Sequence, residues 1–169
     1  MPFATLMLPE FDQEIASARR LLERVPEGRN DWQPHAKSMK LGRLATHVAE
    51  IPSWVAPTLT QDSLDIAPPG APPYAPPAMT TTAALLALLE KNAAAARTAL
   101  AATPDAALTH PWTFLYQGKA LWTRPKLDVY RSFCLNHLVH HRAQLGVYLR
   151  LLDVPIPGMY GPSADEGMG

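Results

Sequence analysis

The chain has 169 residues, enough for one domain with a full core and too few for a comfortable second one. Fifteen Lys and Arg balance fifteen Asp and Glu, so the formal net charge is zero. That excludes the basic footprint of a nucleic-acid backbone binder and leaves nothing to draw the chain to an anionic membrane surface. No apolar run approaches the ~20 residues of a membrane span. The start, "MPFATLMLPEFDQE", lacks the basic region of a secretion signal, and the single cysteine, Cys134, excludes an internal disulfide. A soluble cytoplasmic domain covering residues 1–169 is expected.

The first helix is expected from about Pro9 to Arg24, where Phe11, Ile15, Ala18, Leu22 and Val25 recur at helical spacing and Pro9 suits a first turn. "VPEG" stops it. A second helix is expected to open at Ser38 as N-cap and run to about Thr60, with Leu41, Leu44, Val48, Ile51 and Val55 as its apolar stripe. Pro52 removes a donor inside it and predicts a kink near Val48 to Ile51.

"IAPPGAPPYAPP" follows, six prolines in twelve residues. As polyproline II it would cover about 37 Å, comparable with the ~30 Å of a 20-residue helix. It therefore reads as a crossover that lets the third helix run parallel to the second. That third helix begins near "MTTTAALL" and is rich in alanine. "WTFLY" and "KALWT" flank Gln117-Gly118 and predict a short hairpin-like excursion. Pro125 suits the first turn of a fourth helix, which reaches about Leu152 before "DVPIPG". The tail "VPIPGMYGPSADE" has no helical period, but Met159 and Tyr160 predict an ordered loop packed on the helices.

"NHLVHHR" places three of the six histidines in seven residues of this last helix. At about 100° per residue, His137 and His141 join a stripe with Leu127, Tyr130, Cys134, Leu145, Tyr148 and Leu152. His140 falls off-centre and Arg142 on the opposite side. Two imidazoles at i and i+4 share one patch and can each give one nitrogen to a divalent ion. His47, beside Leu44, Val48 and Ile51 in "LGRLATHVAEIPSW", also faces inward. Neutral imidazoles buried together need partners and imidazolium ions repel, so a shared metal resolves their burial. Packed core histidines without a metal are the plainer alternative. Glu50 reads as a solvated residue, with a fourth ligand or an acceptor behind a ligand as alternatives. Cys134 reads as a core thiol, with a soft-metal ligand as its alternative. Gln144 and Tyr148 suit packing as well as substrate positioning. Trp32, Trp54, Trp112 and Trp122 read as packing anchors, and His35 and His110 as loop residues without a role.

"KSMKLGRLATHVAEIPSW", "NHLVHHRAQLGVYLRLLDVPIP" and "YGPSADE" together resemble the DinB-like (DinB/YfiT) family of metal-dependent proteins. The resemblance implies a four-helix bundle running up-down-down-up, usually dimeric, with a divalent metal on three histidines. On the matching motifs those ligands are His47, His137 and His141. Relatives include thiol-dependent S-transferases and a mycothiol-dependent isomerase. Residues Leu64 to Pro77 carry no family motif.

The expectation is thus an all-α four-helix bundle with a Pro-rich crossover between helices two and three and a hairpin-like excursion before helix four. Its function is expected to be metal-dependent catalysis of the hydrolase or thiol S-transferase type. His47, His137 and His141 hold zinc or nickel, with iron or copper also compatible, and leave a position for water, thiol or substrate. A small-molecule substrate, a low-molecular-weight thiol cofactor and a homodimer belong to this reading. The competing expectation is a non-catalytic metal or small-ligand binding protein, its coordination closed by Glu50 or Cys134.

Overall fold

The computed structural model describes residues 2–72 and 74–166. Pro73 of the expected crossover and the chain ends of the expected 1–169 domain lie outside these residues.

Helix α1 (Phe3–Leu22) begins six residues before Pro9, which sits inside it. Pro9 is exposed, so the carbonyl it cannot serve faces solvent. The start is capped from far along the chain: Asp105 Oδ1 accepts the Phe3 N–H at 2.8 Å. Helix α2 (Leu41–Glu50) starts three residues after Ser38, and Ser38 is not its cap. Its first amides, those of Leu41 and Gly42, donate instead to the backbone carbonyls of Trp32 and Asn30. A Cβ on Gly42 would come within 2.9 Å of Asn30, so only glycine admits that approach.

The predicted kink is a tighter 3-10 turn at Ile51–Trp54, after which α3 (Val55–Thr60) continues the column. Helix α4 (Thr82–Ala102) is capped by Thr81, whose side chain accepts the Ala84 N–H. The last column has three parts: α5 (Lys126–Val129), a π-helical segment over Tyr130–Leu135, and α6 (Asn136–Leu151).

Two apolar clusters fill the interior. One joins Leu22, Leu41, Leu44, Leu85, Leu89 and Leu149. The other joins Met7, Phe11, Leu59, Leu100, Tyr130 and Leu135. The first cluster takes the end of α1, the starts of α2 and α4 and the end of α6. The second takes the opposite ends. The columns therefore run up, down, down, up, with α4 parallel to α2.

The all-α expectation is corrected by a three-stranded mixed sheet. Strands β1 (Ser63–Asp65), β2 (Pro111–Tyr116) and β3 (Lys119–Pro125) lie in the order β1-β2-β3, with β1 parallel and β3 antiparallel to β2. The hairpin turn places Gln117 and Gly118 at φ 50° and 74°, as a two-residue turn of this hand requires. The physical reason for the third strand is the open edge of β2, whose backbone groups are satisfied by the residues just before the Pro-rich crossover. Asp65 reinforces the pairing by accepting from Gly118 N at 2.7 Å and Ala67 N at 3.0 Å. The sheet is tied to α3 by Trp112, whose indole donates to the Pro57 carbonyl, and by buried Lys126, which bonds the Leu59 carbonyl and pairs with Asp62.

The tail is an ordered loop. Val154, Ile156 and Met159 pack against the first cluster. Arg142, which the helical stripe placed facing outward, is 2% exposed and pairs with Glu14 of α1 at 2.5 Å. Tyr160 closes this network, accepting from Arg142 and donating to the Glu14 carboxylate. Among the described residues no helix is long and apolar enough to cross a membrane.

Candidate metal centre

Helix α2 carries His47 one turn before its end, and α6 carries His137 and His141 one turn apart at its start. The packing of α2 against α6 brings the three together. One ligand nitrogen from each lies within 4.8 Å of the others. His137 Nε2 and His141 Nε2 are 2.8 Å apart. Tetrahedral zinc, with Zn–N of about 2.0–2.1 Å, sets ligand nitrogens about 3.3 Å from one another. The His137–His141 pair is closer than that and the whole set lies within 4.8 Å, a spread that side-chain rotation can adjust.

Each imidazole has a second partner that orients it. His47 Nδ1 is 3.2 Å from Glu50 Oε2. His141 Nδ1 is 2.8 Å from Gln144 Oε1, which only accepts, so the proton of the neutral ring lies on Nδ1 and the Nε2 lone pair is bare. The Phe133 backbone, one turn before His137, acts to raise the pKa of that ring, as an acceptor for a ring N–H would. With the protons of both rings on the far nitrogens, the two Nε2 lone pairs would face one another at 2.8 Å and a cation would relieve that contact; with a proton between them, the pair is a hydrogen bond. Donation of the far N–H to a carboxylate, carbonyl or amide is how metal-binding histidines are held in the ligating tautomer.

Burial favours the neutral form of His137 and His141. It pushes His141 down to about 4, with His47, His137 and His140 adding to the effect and Gln144 opposing it. It also lowers His137, assisted by the charge of His47. A neutral imidazole is the form that binds a metal.

Glu50, expected to be solvated, is 5% exposed. Its Oε2 also accepts from both Nη1 and Nη2 of Arg43 at 3.3 Å, so the carboxylate stands between His47 and a guanidinium. The i, i+3 spacing from His47 was the signal for this contact. Cys134 is buried, 3.6 Å from Thr58 Oγ1, and burial pushes its thiol up to about 12. It does not join the histidine group. His140 is exposed, its ring 4.8 Å from that of His141, and it too stands outside the group. Gln144 orients His141, whereas Tyr148 serves packing and donates to the Met39 carbonyl. Trp54, read as a packing anchor, also lies edge-on to His47 and His137 at 5.5 and 5.1 Å. His35 accepts from the Lys37 amide in its own loop, and His110 lies between the 3-10 turn over Asp105–Thr109 and β2.

The fold and this cluster define a mainly helical protein with a three-histidine candidate metal centre inside its helix packing. The sequence profile of the DinB superfamily matches residues 10–145, a span that contains all three histidines, and the chain belongs to that family. A DinB-like protein from Bacillus cereus ATCC 10987 superposes with a TM-score of 0.69 at 22% identity, over 90% of this chain and 95% of that one. The DinB-like protein YjoA from Bacillus subtilis gives 0.69 at 15% identity, over 91% and 96%. Comparison with curated proteins returned no match.

Proposed function

We propose that the protein is a metal-dependent enzyme that holds a divalent transition ion, zinc or nickel foremost and iron or copper also compatible, on His47, His137 and His141. The observation that carries this reading is the pair of facing Nε2 atoms at 2.8 Å, in a cluster where each ring is oriented from behind. Such an ion supplies Lewis acidity and lowers the pKa of a water or thiol presented to it, which suits hydrolysis or thiol transfer on a small molecule, with a low-molecular-weight thiol as cofactor in the second case.

The chain's own residues supply binding and orientation. Glu50 orients His47 and offsets the positive charge gathered at the centre, while Arg43 holds the Glu50 carboxylate from its other side. Gln144 does the corresponding work for His141. Three protein ligands leave coordination positions free, the pattern of catalytic sites. The non-catalytic alternative needed Glu50 or Cys134 to close the sphere. Glu50 is engaged behind His47, and Cys134 is turned to the core, which favours the catalytic reading.

The homodimer belongs to the same proposal. The outer face of α6 leaves Val147 60% and Leu151 56% exposed beside a shallow apolar groove that also includes Gly146 and Met159. A second copy is the partner proposed for it, and sedimentation showing only monomer at micromolar concentration would remove this part. A cytoplasmic setting belongs to the same proposal, in keeping with a chain whose single cysteine is buried.

The test of the centre is elemental analysis of protein purified without an affinity metal, then titration with zinc and nickel. One ion per chain, lost in the His47→Ala variant, is the expected result. Absence of stoichiometric binding in folded protein would overturn the reading.

A further inference from the structure

Phe133, in the π-helical segment, stands one turn before His137 and joins the candidate metal centre to the sheet. Its ring centroid is 5.9 Å from His137, 5.1 Å from Trp54, 5.2 Å from Phe114 and 5.6 Å from Trp122. Phe114 and Trp122 are cross-strand partners stacked at 5.2 Å with their planes 20° apart. Phe133, Phe114 and Trp122 belong to neither of the two interior clusters, and all three are half-buried. They make a separate apolar surface that begins at the histidines and runs onto one face of the sheet, ending under the exposed guanidinium of Arg124, 5.1 Å from the Trp122 ring.

His137 is the most exposed of the three histidines, so its side offers the way in. His47 and His141 are buried, whereas His137 is the half-buried ligand and the one whose ring meets Phe133. A molecule reaching the open coordination positions past His137 would lie along these rings. The parts of such rings left exposed gain by contact with another flat ring, through area burial and through offset or edge-on ring contact.

We infer that Phe133, Phe114 and Trp122 form the specificity surface of the site, and that the substrate carries a flat aromatic body behind the polar head that reaches the histidines. This inference rests on the metal reading above and narrows it to a substrate class. A purely structural role for the rings, as a plug between sheet and helix, would not make the site discriminate between aryl and alkyl compounds.

The experiment uses the full chain loaded with zinc and two metal-binding probes, acetohydroxamic acid and 2-naphthohydroxamic acid, titrated by calorimetry. The naphthyl probe should bind about tenfold more tightly than the acetyl probe, as two ring contacts supply. In Phe114→Leu and Trp122→Leu, which keep an apolar side chain, the preference should fall to about twofold while the acetyl probe binds as before. Thermal unfolding confirms that the variants are folded. An aryl preference absent from the wild type, or retained in full by both variants, would overturn the inference and leave the metal centre standing. Zinc-loaded protein that binds neither probe would overturn the open-site reading and the inference with it.

Discussion

Glu50→Ala tests whether the groups behind the histidines serve a metal. The Glu50 carboxylate is 5% exposed, 3.2 Å from His47 Nδ1 and 3.3 Å from both terminal nitrogens of Arg43. Its removal frees the His47 ring to rotate, withdraws the acceptor beside its Nδ1, and leaves the Arg43 charge facing the centre without compensation. Loss of such a partner costs about 10–100-fold in metal affinity, or roughly 1.4–2.7 kcal/mol. The Arg43 side chain is 31% exposed and can turn to solvent, so the upper end of that range would be reached only if it stayed in place. Glu50→Gln keeps an accepting oxygen and loses the charge, so its loss should be smaller. The assay is competition for zinc against a chromophoric chelator, with circular dichroism to confirm folding. Folded Glu50→Ala protein with wild-type affinity would refute the argument that Glu50 orients a ligand.

Three further outcomes are expected. His47→Ala, His137→Ala and His141→Ala should each lose most bound metal in elemental analysis, whereas His140→Ala should keep wild-type stoichiometry because its ring lies outside the cluster. Metal-free protein should lose stability as pH falls from the ordinary histidine value of 6.5 toward about 4, with no further change above that window. The sign follows because the unfolded chain takes up protons there and the folded His137 and His141 resist them. Urea unfolding across pH measures this, and His141→Ala should flatten the profile. Glu14→Ala should cost about 3–5 kcal/mol by leaving buried Arg142 without its counter-charge, and Tyr160→Phe about 1 kcal/mol, both read from chemical denaturation. Limited proteolysis after Asp153 should accelerate in both variants.

Features carried by local periodicity were legible in the sequence, and features carried by tertiary contacts were not. The alanine-rich α4, the Gln117-Gly118 turn and the break near Pro52 follow from local propensity. The early start of α1 depends on an acceptor about a hundred residues away, Asp105, and β1 is three residues that become a strand only because β2 offers an edge. Arg142 was misplaced for the same kind of reason. A guanidinium is ordinarily assigned to solvent, and its burial depends on Glu14 from α1 and Tyr160 from the tail. Neither residue carries a signal of that role in its own segment.

The π-helical segment decides the rest. His137 and His141 both lie within α6, so the 100° rule applied between them and placed them on one face. Tyr130 and Cys134 lie in the π segment, where hydrogen bonds span one residue more and the wider turn changes the angle per residue. Counting back from His137 at α-helical phase set Cys134 on the ligand face. The wider turn instead directs Cys134 into the core against Thr58 and brings Phe133 beside His137 and Trp54. The same irregularity thus takes a thiol away from the centre and puts a ring at its rim. Because the π turn absorbs one extra residue, deleting one residue between Tyr130 and Leu135 would let it revert to α-helix with α5 and α6 close to their present register. The expected outcome is a folded protein that keeps both the Lys126 anchor and stoichiometric metal on the histidine cluster, and folded protein that no longer binds metal would refute this account of the segment.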